Sequence, residues 1–438
     1  MTTIDGLKEN GVVGAGGAGF PAYVKLSGTA EIFIVNAAEC EPLLHKDKEI
    51  LLRKADLFFM GLRDCMRLVR AKKCIIGLKA KYTSLVEQLK SCCEDNIELF
   101  PLNDFYPAGD EITLIYETTG RVVSAGELPI TRNVIVSNVE TVYNVALGSP
   151  VVTKFLTVGG DVQNSMTLKV PVGIPFWEVL AVARPLPRDY DVVIGGPMMG
   201  VLAESLDQPV TKTTGGLIVF SKDHPYIRRI KTAGSQKAVD RIGKSVCDQC
   251  TMCTERCPRY LLGHPIQPHS SMRTLLFSNE GSTASSMNAH NLFCCECNLC
   301  TLISCPEDLY PAQVCIAIKR ALLGEKVPYQ GIPLNEAHKL IAYRKTPIKK
   351  IMQKLHLNGF ANRGPLVDHD WKPKRLQVML RQHIGAPAVP VVAVNEVVLK
   401  RQKIASVGDN LGAEIHSPLS GRVASITMDS ILIDVDQG

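Results

Sequence analysis

The chain has 438 residues, of which 46% are hydrophobic and 21% are charged. We therefore expect a folded protein of about two to four domains rather than a disordered one. Its net charge of +6 is too small, without a patterned basic face, to indicate nucleic-acid binding. The first residues lack the pattern of a signal peptide, and no apolar run approaches the roughly 20 residues that span a bilayer. We expect a cytoplasmic protein without a membrane span.

The first distinctive stretch in chain order is GVVGAGGAGFP, residues 11–21. Glycine adopts positive φ and lets backbone N–H groups approach a phosphate or an aromatic ring closely. No strand is predicted before this loop, so it does not match the dinucleotide-binding fingerprint of Rossmann folds.

Predicted strands and helices then alternate up to about residue 146. The strands are EIFIVNAAE, KCIIGLK, NIELFPL and NVIVSN, and the segments between them have helical patterns. This alternation predicts a parallel sheet covered by helices. Asn36, Glu39 and Glu41 follow the first strand at its carboxyl end, where ligands collect in open α/β sheets.

Two further regions read as small β structures. Residues 164–183 predict a strand, a turn and a helix that begins after Pro175, and residues 380–437 contain short valine-rich strands separated by turn residues. Between them lies a basic segment, residues 343–375, which suits a solvated linker or helix face, or else docking to an acidic partner.

The chain contains fifteen cysteines. In a reducing compartment clustered cysteines predict metal ligands rather than disulfides. Residues 247–258, CDQCTMCTERCP, have the bacterial ferredoxin spacing C-x2-C-x2-C-x3-C-P, in which the fourth cysteine binds the other of two clusters. The spacing predicts two [4Fe–4S] clusters with exchanged fourth ligands. One is held by Cys247, Cys250, Cys253 and Cys305, and the other by Cys294, Cys297, Cys300 and Cys257.

The second cysteine run, CCECNLCTLISCP, is irregular in two ways. Four residues rather than three separate Cys300 from Cys305, which lengthens the turn before the last ligand. Cys295 is a spare thiol that could replace Cys294 as a ligand. The alternative metal is zinc, but zinc sites usually pair two C-x2-C knuckles, whereas both runs here end in Cys-Pro.

Four N-terminal motifs, GAGGAGFP with Lys25, VNAAECEP, YPAGDE and SNVET, occur in the order and approximate spacing of a known family. They are similar to the FMN- and NADH-binding motifs of the flavin subunit of respiratory complex I. They resemble more closely the RnfC subunit of Rnf-type complexes and the PduS family, the cobalamin reductases of propanediol-utilising bacterial microcompartments. The C-terminal position of the last β module and the gap before Cys305 favour the PduS family. The resemblance covers nearly the whole chain.

This resemblance implies roles for individual residues in binding FMN and NADH. Those expected to line the flavin and its phosphate are Gly14, Gly16, Gly17, Gly19, Lys25, Asn138 and Thr141. Those expected beside the isoalloxazine ring or ribityl chain are Asn36, Glu39, Tyr106, Gly109, Asp110 and Glu111. Phe20 and Glu41 would meet the nicotinamide nucleotide. Ala38 stands where the family often has an acidic residue, and Asp110 replaces a more usual Glu.

The resemblance also implies the fold class and the domain boundaries. We expect an α/β flavin-binding domain over residues 1–150, a β-grasp (SLBB) domain over 151–236 and an α-helical double [4Fe–4S] ferredoxin-like domain over 237–330. A helical, basic linker over 331–376 and a C-terminal β barrel-sandwich hybrid domain over 377–438 would follow. The hairpin HSPLSGRV has no lysine to modify, so packing or docking is favoured over carrier chemistry.

The implied function is that of an NADH-dependent oxidoreductase that passes single electrons to cobalamin. It would support a B12-dependent diol dehydratase, with partners in the corrinoid enzyme system and the microcompartment shell, inside or at which it would reside. No acid–base triad is evident. Two alternatives remain: an RnfC-like electron-entry subunit with another redox protein as acceptor, and an iron–sulfur scaffold that docks to the shell.

Overall fold

The computed structural model describes residues 2–277, 286–331 and 336–436. Within these ranges no helix is both long and apolar enough to cross a membrane. In chain order they form a parallel α/β unit, a mixed six-stranded sheet, a helical cysteine-rich unit and a C-terminal β unit.

The N-terminal unit is a four-stranded sheet of order β3–β2–β1–β5, with every pairing parallel. Its strands are β1 Ile32–Ala37, β2 Lys73–Lys79, β3 Ile97–Leu102 and β5 Val134–Asn138, and a short β4 Phe105–Tyr106 lies outside it. Its helices are α1 Ile4–Glu9, α2 Ala22–Leu26, α3 Lys46–Arg53, α4 Ala55–Val69, α5 Thr83–Lys90, α6 Glu111–Thr119 and α7 Val139–Ala146. The central strand β1 is apolar and buried almost throughout, as expected for a parallel sheet covered on both faces. The predicted α/β alternation is confirmed.

Helices α4 and α7 pack closely on one face of this sheet. At their contact is Gly61, where an added Cβ would lie 2.0 Å from the carbonyl oxygen of Val142. A side chain at this position would therefore force the two helices apart.

The second unit is a six-stranded sheet of order β12–β7–β6–β10–β8–β9. Its strands are β6 Thr153–Gly160, β7 Met166–Pro171, β8 Tyr190–Ile194, β9 Val201–Leu202, β10 Gly216–Ser221 and an edge strand, β12 Leu366–Val367. Helix α8, Phe176–Ala183, begins after Pro175 and buries Phe176, Val179 and Leu180 against the sheet. The predicted order of strand, turn and helix is confirmed.

The cysteine-rich unit is helical. Its helices are α9 Pro225–Ala233, α10 Gln236–Val246, α11 Met252–Glu255, α12 Pro258–Leu261, α13 Pro268–Phe277 and α14 Pro311–Gly324. Proline opens α12 and α14, where its missing N–H leaves no hydrogen bond unmade. Cys257 caps α12 directly, whereas Cys305 is followed by a turn and α14 begins at Pro311.

The segment expected to be a helical, basic linker packs against both the N-terminal unit and the second unit. Strand β11, Thr346–Pro347, pairs with β4, and β12 extends the second sheet beside β7. Between them α15, Ile348–Lys354, buries Ile348, Ile351 and Met352 while its neighbouring lysines stay exposed. The basic residues of α15 therefore occupy the outer face of a packed helix.

The C-terminal unit contains two antiparallel sheets of orders β13–β19–β18–β15 and β14–β16–β17. The strands are β13 Arg375–Met379, β14 Val389–Pro390, β15 Val397–Val398, β16 Lys403–Ser406, β17 Ile415–His416, β18 Gly421–Ile426 and β19 Ser430–Val435. Their inward side chains form one apolar core, as in a barrel-sandwich fold.

This C-terminal unit contacts the N-terminal glycine loop directly. The backbone N–H of Ile384 donates to the carbonyl oxygen of Gly19 at 3.0 Å. The buried Lys212 ammonium of the second unit donates to the carbonyl oxygens of Gly11 (2.7 Å) and Glu414 (3.2 Å). Three units therefore meet beside the glycine loop, which supports packing as the role of the C-terminal module.

The contact between α4 and α7 can be tested with Gly61→Ala. We expect the substitution to destabilise the fold by about 1–3 kcal/mol, because the new Cβ would overlap backbone rather than a mobile side chain. Gly324→Ala is the matched control, since an added Cβ at this helical glycine meets nothing within 4 Å. Thermal unfolding should show a lower first transition for the Gly61 variant only. Equal temperatures of the first transition in the two variants would contradict the close packing at Gly61.

Candidate functional site

The glycine loop is a tight turn whose outer side is open. The N–H of Gly14 donates to the carbonyl oxygen of Phe20 at 2.8 Å, which closes the loop. Gly17 and Gly19 have φ values of +123° and +71°, which favour glycine. An added Cβ at Gly19 would meet the backbone of the C-terminal unit, whereas one at Gly17 would meet nothing within 4 Å. The loop therefore presents bare backbone on one side.

This loop lies against the N-terminus of α7. Asn138 caps the helix, accepting the N–H of Glu140 at 3.0 Å, and the Thr141 hydroxyl accepts the N–H of Ala15 at 2.9 Å. An added Cβ at Gly16 would lie 3.3 Å from Cβ of Asn138. Glycine backbone next to a helix N-terminus is a suitable environment for a phosphate group.

Further predicted side chains lie around the carboxyl ends of β1 and β5. The Asn36 amide donates to the carbonyl oxygen of Gly109 at 2.8 Å, which joins strand β1 to the loop before α6. The Lys25 ammonium lies 2.7 Å from Glu111 and 2.9 Å from the carbonyl oxygen of Val136. The structure thus brings the glycine loop, Lys25, Asn36, Gly109, Glu111, Asn138 and Thr141 to one edge of the sheet.

Buried charges lie beneath the glycine loop. The Lys154 ammonium contacts the Glu140 carboxylate and donates to the carbonyl oxygen of Ala15 at 2.9 Å. Lys46 lies 2.7 Å from Asp47 and 3.2 Å from Glu140. Burial lowers the pKa of Lys154 to about 8 although Glu140 opposes the shift. The network fixes both the loop and the start of α7.

Sequence reasoning did not find this network. Asp47 accepts a hydrogen bond from the Asn138 amide at 2.8 Å, so it orients a predicted phosphate-site residue. The available signal was the charged run KDKE directly after VNAAECEP, together with the glutamate inside SNVET.

The structure places two predicted acidic residues in other roles. Glu39 accepts the N–H groups of Asp47 (3.0 Å) and Lys48 (3.2 Å), and therefore caps α3. Glu41 accepts the N–H groups of Met198 (2.9 Å) and Met199 (2.8 Å) in the second unit. Burial raises the pKa of Glu41 to about 7, and burial together with Asp47 raises the pKa of Glu39 to about 7. Their contacts with flavin or nicotinamide remain predictions.

The cysteine spacing assigns the predicted ligands to two groups of four. The outer group is Cys247, Cys250, Cys253 and Cys305, and the inner group is Cys257, Cys294, Cys297 and Cys300. Burial raises the pKa of Cys253 to about 12, and its neighbours Cys305, Cys250 and Cys247 add to the shift. Burial likewise raises the pKa of Cys300, with Cys294 and Cys257 among the contributing thiols. Cys305 therefore lies near Cys253 and Cys257 lies near Cys300, as exchanged fourth ligands require, while Cys253 and Cys315 also lie near Cys300. The membership of the two groups remains a prediction.

The four thiols of a group do not converge on one point. Among the described residues, no three His, Cys, Asp or Glu side chains form a site for a single metal ion.

The two cysteine loops have the same backbone pattern. Gln249 and Thr251, on either side of Cys250, have φ values of +60° and +65°. Glu296 and Asn298, on either side of Cys297, both have +59°. Cys294 therefore corresponds to Cys247, and the spare Cys295 corresponds to Asp248. This correspondence favours Cys294 as the ligand, but the Cys295 thiol also lies beside Cys257 and Cys297, so the choice between the two remains a prediction.

The extra residue before Cys305 is accommodated by a π turn. Residues Cys300–Ser304 form this turn, and the N–H of Cys305 donates to the carbonyl oxygen of Cys300 at 3.1 Å. A single π turn is a common way to insert one residue into a helical segment near a functional site. The irregular spacing therefore still delivers Cys305 to the outer group.

Two contacts join the flavin-site loop to the inner group. The buried Tyr106 hydroxyl donates to the carbonyl oxygen of Cys297 at 3.0 Å. Asp110 lies 2.7 Å from the guanidinium of Arg259, two residues after Cys257. The inner group is thus adjacent to the edge of the parallel sheet, while Cys250 of the outer group is exposed.

Comparisons with known proteins agree with this division of the chain. The model of the Nuo51 FMN-binding domain matches residues 7–147, the 4Fe-4S dicluster domain matches 246–310 and the RnfC barrel sandwich hybrid domain matches 360–434. The chain is 42% identical to the cobalamin reductase PduS of Salmonella typhimurium over 98% of this chain and 95% of that protein. The chain belongs to the PduS family. The PduS of Citrobacter freundii is 40% identical over 99% of this chain and 96% of that protein.

More distant matches are partial. One subunit of the Na+-translocating ferredoxin:NAD+ oxidoreductase complex of Acetobacterium woodii is 34% identical over 57% of this chain and 56% of that protein. A solved NAD+-reducing [NiFe]-hydrogenase in the H2-reduced state is 22% identical over 73% of this chain and 60% of that chain, with a TM-score of 0.49. This last likeness is too low to bear on function.

The family and domain matches establish the cofactors of this PduS-family chain. They are FMN and two [4Fe–4S] clusters, so iron–sulfur is confirmed over zinc. The residues present fit both: an open glycine loop at a helix N-terminus for the flavin phosphate, and two loops of equal backbone for the clusters. The roles of individual residues remain predictions.

The choice between Cys294 and Cys295 can be tested by iron content. Cys294→Ser should remove the inner cluster, so that iron falls from about eight to about four atoms per chain. Cys295→Ser is the matched control and should retain about eight. Iron and sulfide are measured after anaerobic purification. The reverse pattern would make Cys295 the ligand.

The buried Glu41 predicts a dependence of stability on pH. Because its folded pKa is raised to about 7 from 4.5, the folded state holds the extra proton between these values. Its stabilising contribution is present below about pH 4.5 and is lost as the pH rises through about 7. Glu41→Gln cannot ionise, so its unfolding free energy should fall less from pH 5 to pH 8, by on the order of 1–3 kcal/mol. Denaturant unfolding of the holoprotein at pH 5 and pH 8 measures this difference. An equal change in unfolding free energy for the wild type and the variant would contradict the prediction.

Proposed function

We propose that this protein is an NADH-dependent flavin and iron–sulfur reductase that passes single electrons to cobalamin. The observation that carries the proposal is the 42% identity to the cobalamin reductase PduS over 98% of the chain. The joining of the flavin-site edge to the inner cysteine group by Tyr106 and Asp110 supports it, because this contact brings two redox centres together.

A flavin is needed because NADH gives up two electrons as a hydride, whereas an iron–sulfur cluster takes one electron at a time. The residues of this chain bind and orient the groups. The glycine loop and the α7 N-terminus would hold the phosphate, and Asn36 with Gly109 would fix the edge beside the ring. The buried Tyr106 excludes water from the junction with the inner group.

The proposed electron route runs from the flavin edge to the inner group, then to the outer group and the surface. The inner group meets the flavin-binding unit at Cys297 and near Cys257. Cys250 of the outer group is exposed. The outer cluster would therefore lie closest to an external acceptor. Cobalamin, the acceptor named for the Salmonella relative, would receive electrons there.

The proposal extends to the setting of the protein. As a PduS-family member it would maintain reducible cobalamin for a B12-dependent diol dehydratase. It would reside in the cytoplasm, within or at the shell of a bacterial microcompartment, and contact a shell protein. Support for this setting comes from the family membership.

The proposal is tested with anaerobically purified protein that contains FMN and both clusters. We expect NADH to bleach the flavin absorbance and then reduce the clusters, and cob(III)alamin to reoxidise them. Ferredoxin in place of cobalamin is the comparison that distinguishes an RnfC-like acceptor. If NADH reduces the centres but cobalamin never reoxidises them, the acceptor assignment is wrong. If no FMN is present, the scaffold alternative is favoured.

A further inference from the structure

Arg259 occupies a junction that neither the family match nor the cysteine spacing assigns. It lies in α12, directly after Cys257 and Pro258, so it belongs to the inner group by position. Its guanidinium lies 2.7 Å from Asp110, and the two side chains are only 13% and 16% exposed.

The carboxylate that holds this arginine is itself fixed. Asp110 caps α6, and its other oxygen accepts the N–H and the hydroxyl of Thr113, both at 3.0 Å. The position of the arginine is therefore set by the start of a helix in the flavin-binding unit. The guanidinium links this unit to the inner group.

One nitrogen of the Arg259 guanidinium has no oxygen or nitrogen atom as a hydrogen-bond acceptor. Nη1 of Arg259 is buried and has no hydrogen-bond partner among the described residues. The thiols of Cys295 and Cys297 both lie near the guanidinium, and Cys295 is within hydrogen-bonding reach of it. A buried N–H without a partner is costly, and electron-rich sulfur of the inner cluster is the acceptor that this position offers.

The outer group has the opposite charge at the corresponding position. Cys257-Pro258 is followed by Arg259, whereas Cys305-Pro306 is followed by Glu307. Glu307 is exposed, so water screens its charge, while Arg259 is held in the interior where its field is stronger. The two clusters thus have different electrostatic environments.

We propose that Arg259 is a positioning residue that raises the reduction potential of the inner cluster and so directs the electron from the flavin to it. Adding one electron makes a cluster more negative, and a fixed buried cation stabilises that reduced form. Asp110 moderates the effect by supplying the compensating charge. The step would transfer one electron from reduced FMN to the cluster, and Arg259 would neither form or break a bond nor gain or lose a proton.

This inference rests on the flavin-to-cluster part of the proposed function but not on the acceptor. Its test measures potentials in the absence of cobalamin, so failure of the acceptor assignment would leave it untouched. The measurement is a redox titration of the holoprotein followed by electron paramagnetic resonance, with FMN and iron content determined for each variant.

Arg259→Gln should lower the midpoint potential of one cluster by at least a tenfold change in the one-electron equilibrium, about 59 mV. Arg259→Lys keeps the charge and should stay closer to wild type. Asp110→Asn retains a residue that can cap α6 and removes the opposing charge, so it should raise the same midpoint. Arg320→Gln, at an exposed arginine of α14, is the matched control and should change neither cluster.

The opposite directions of the two central variants distinguish an electrostatic role from structural damage. If Arg259→Gln and Asp110→Asn lower the same potential, or if both leave it unchanged at full iron content, the proposal is wrong. If Arg259→Gln loses the inner cluster, Arg259→Lys and Asp110→Asn still decide. A raised potential in Asp110→Asn with a near wild-type value in Arg259→Lys supports the proposal, and any other pair of values contradicts it.

Discussion

The arrangement depends on one buried junction, where the loop before α6 meets the inner cysteine loop. Tyr106 binds the backbone of Cys297, and Asp110 pairs with Arg259. Both contacts come from a loop that also forms part of the flavin-site edge through Gly109 and Asn36. A displacement of this loop would therefore change the flavin site and the first cluster together, which couples two cofactors through a single element.

A buried network of charged side chains that takes no part in electron transfer determines much of the geometry of the glycine loop. Lys46, Asp47, Glu140 and Lys154 lie under the glycine loop and orient Asn138 and Ala15. Removing one member would leave a buried charge without its partner, which is strongly destabilising. The network therefore holds the glycine loop in one backbone conformation, which flexible glycine residues would not maintain by themselves.

The sequence predicted the fold class and the cysteine groups because both depend on short-range patterns. Alternating periodicity predicted the parallel sheet, which the structure confirms, and the spacing around Cys257 predicts the exchange of ligands, which stays a prediction. Glu39 and Glu41 show where this reasoning stops: they follow a strand at the expected edge, yet their carboxylates bind backbone N–H groups of α3 and of the second unit. Arg259 was missed for the same reason, since its partner Asp110 is 149 residues away in the sequence.

The contact between the C-terminal unit and Gly19 has a consequence for biosynthesis. Residues near 384 pack behind the glycine loop, and Lys403 of the same unit pairs with Glu9 at 2.7 Å. Because translation proceeds from the N-terminus, all strands of the parallel sheet are synthesised before the residues that contact the glycine loop from the C-terminal unit. The complete coenzyme site can therefore form only after the C-terminal unit has been synthesised.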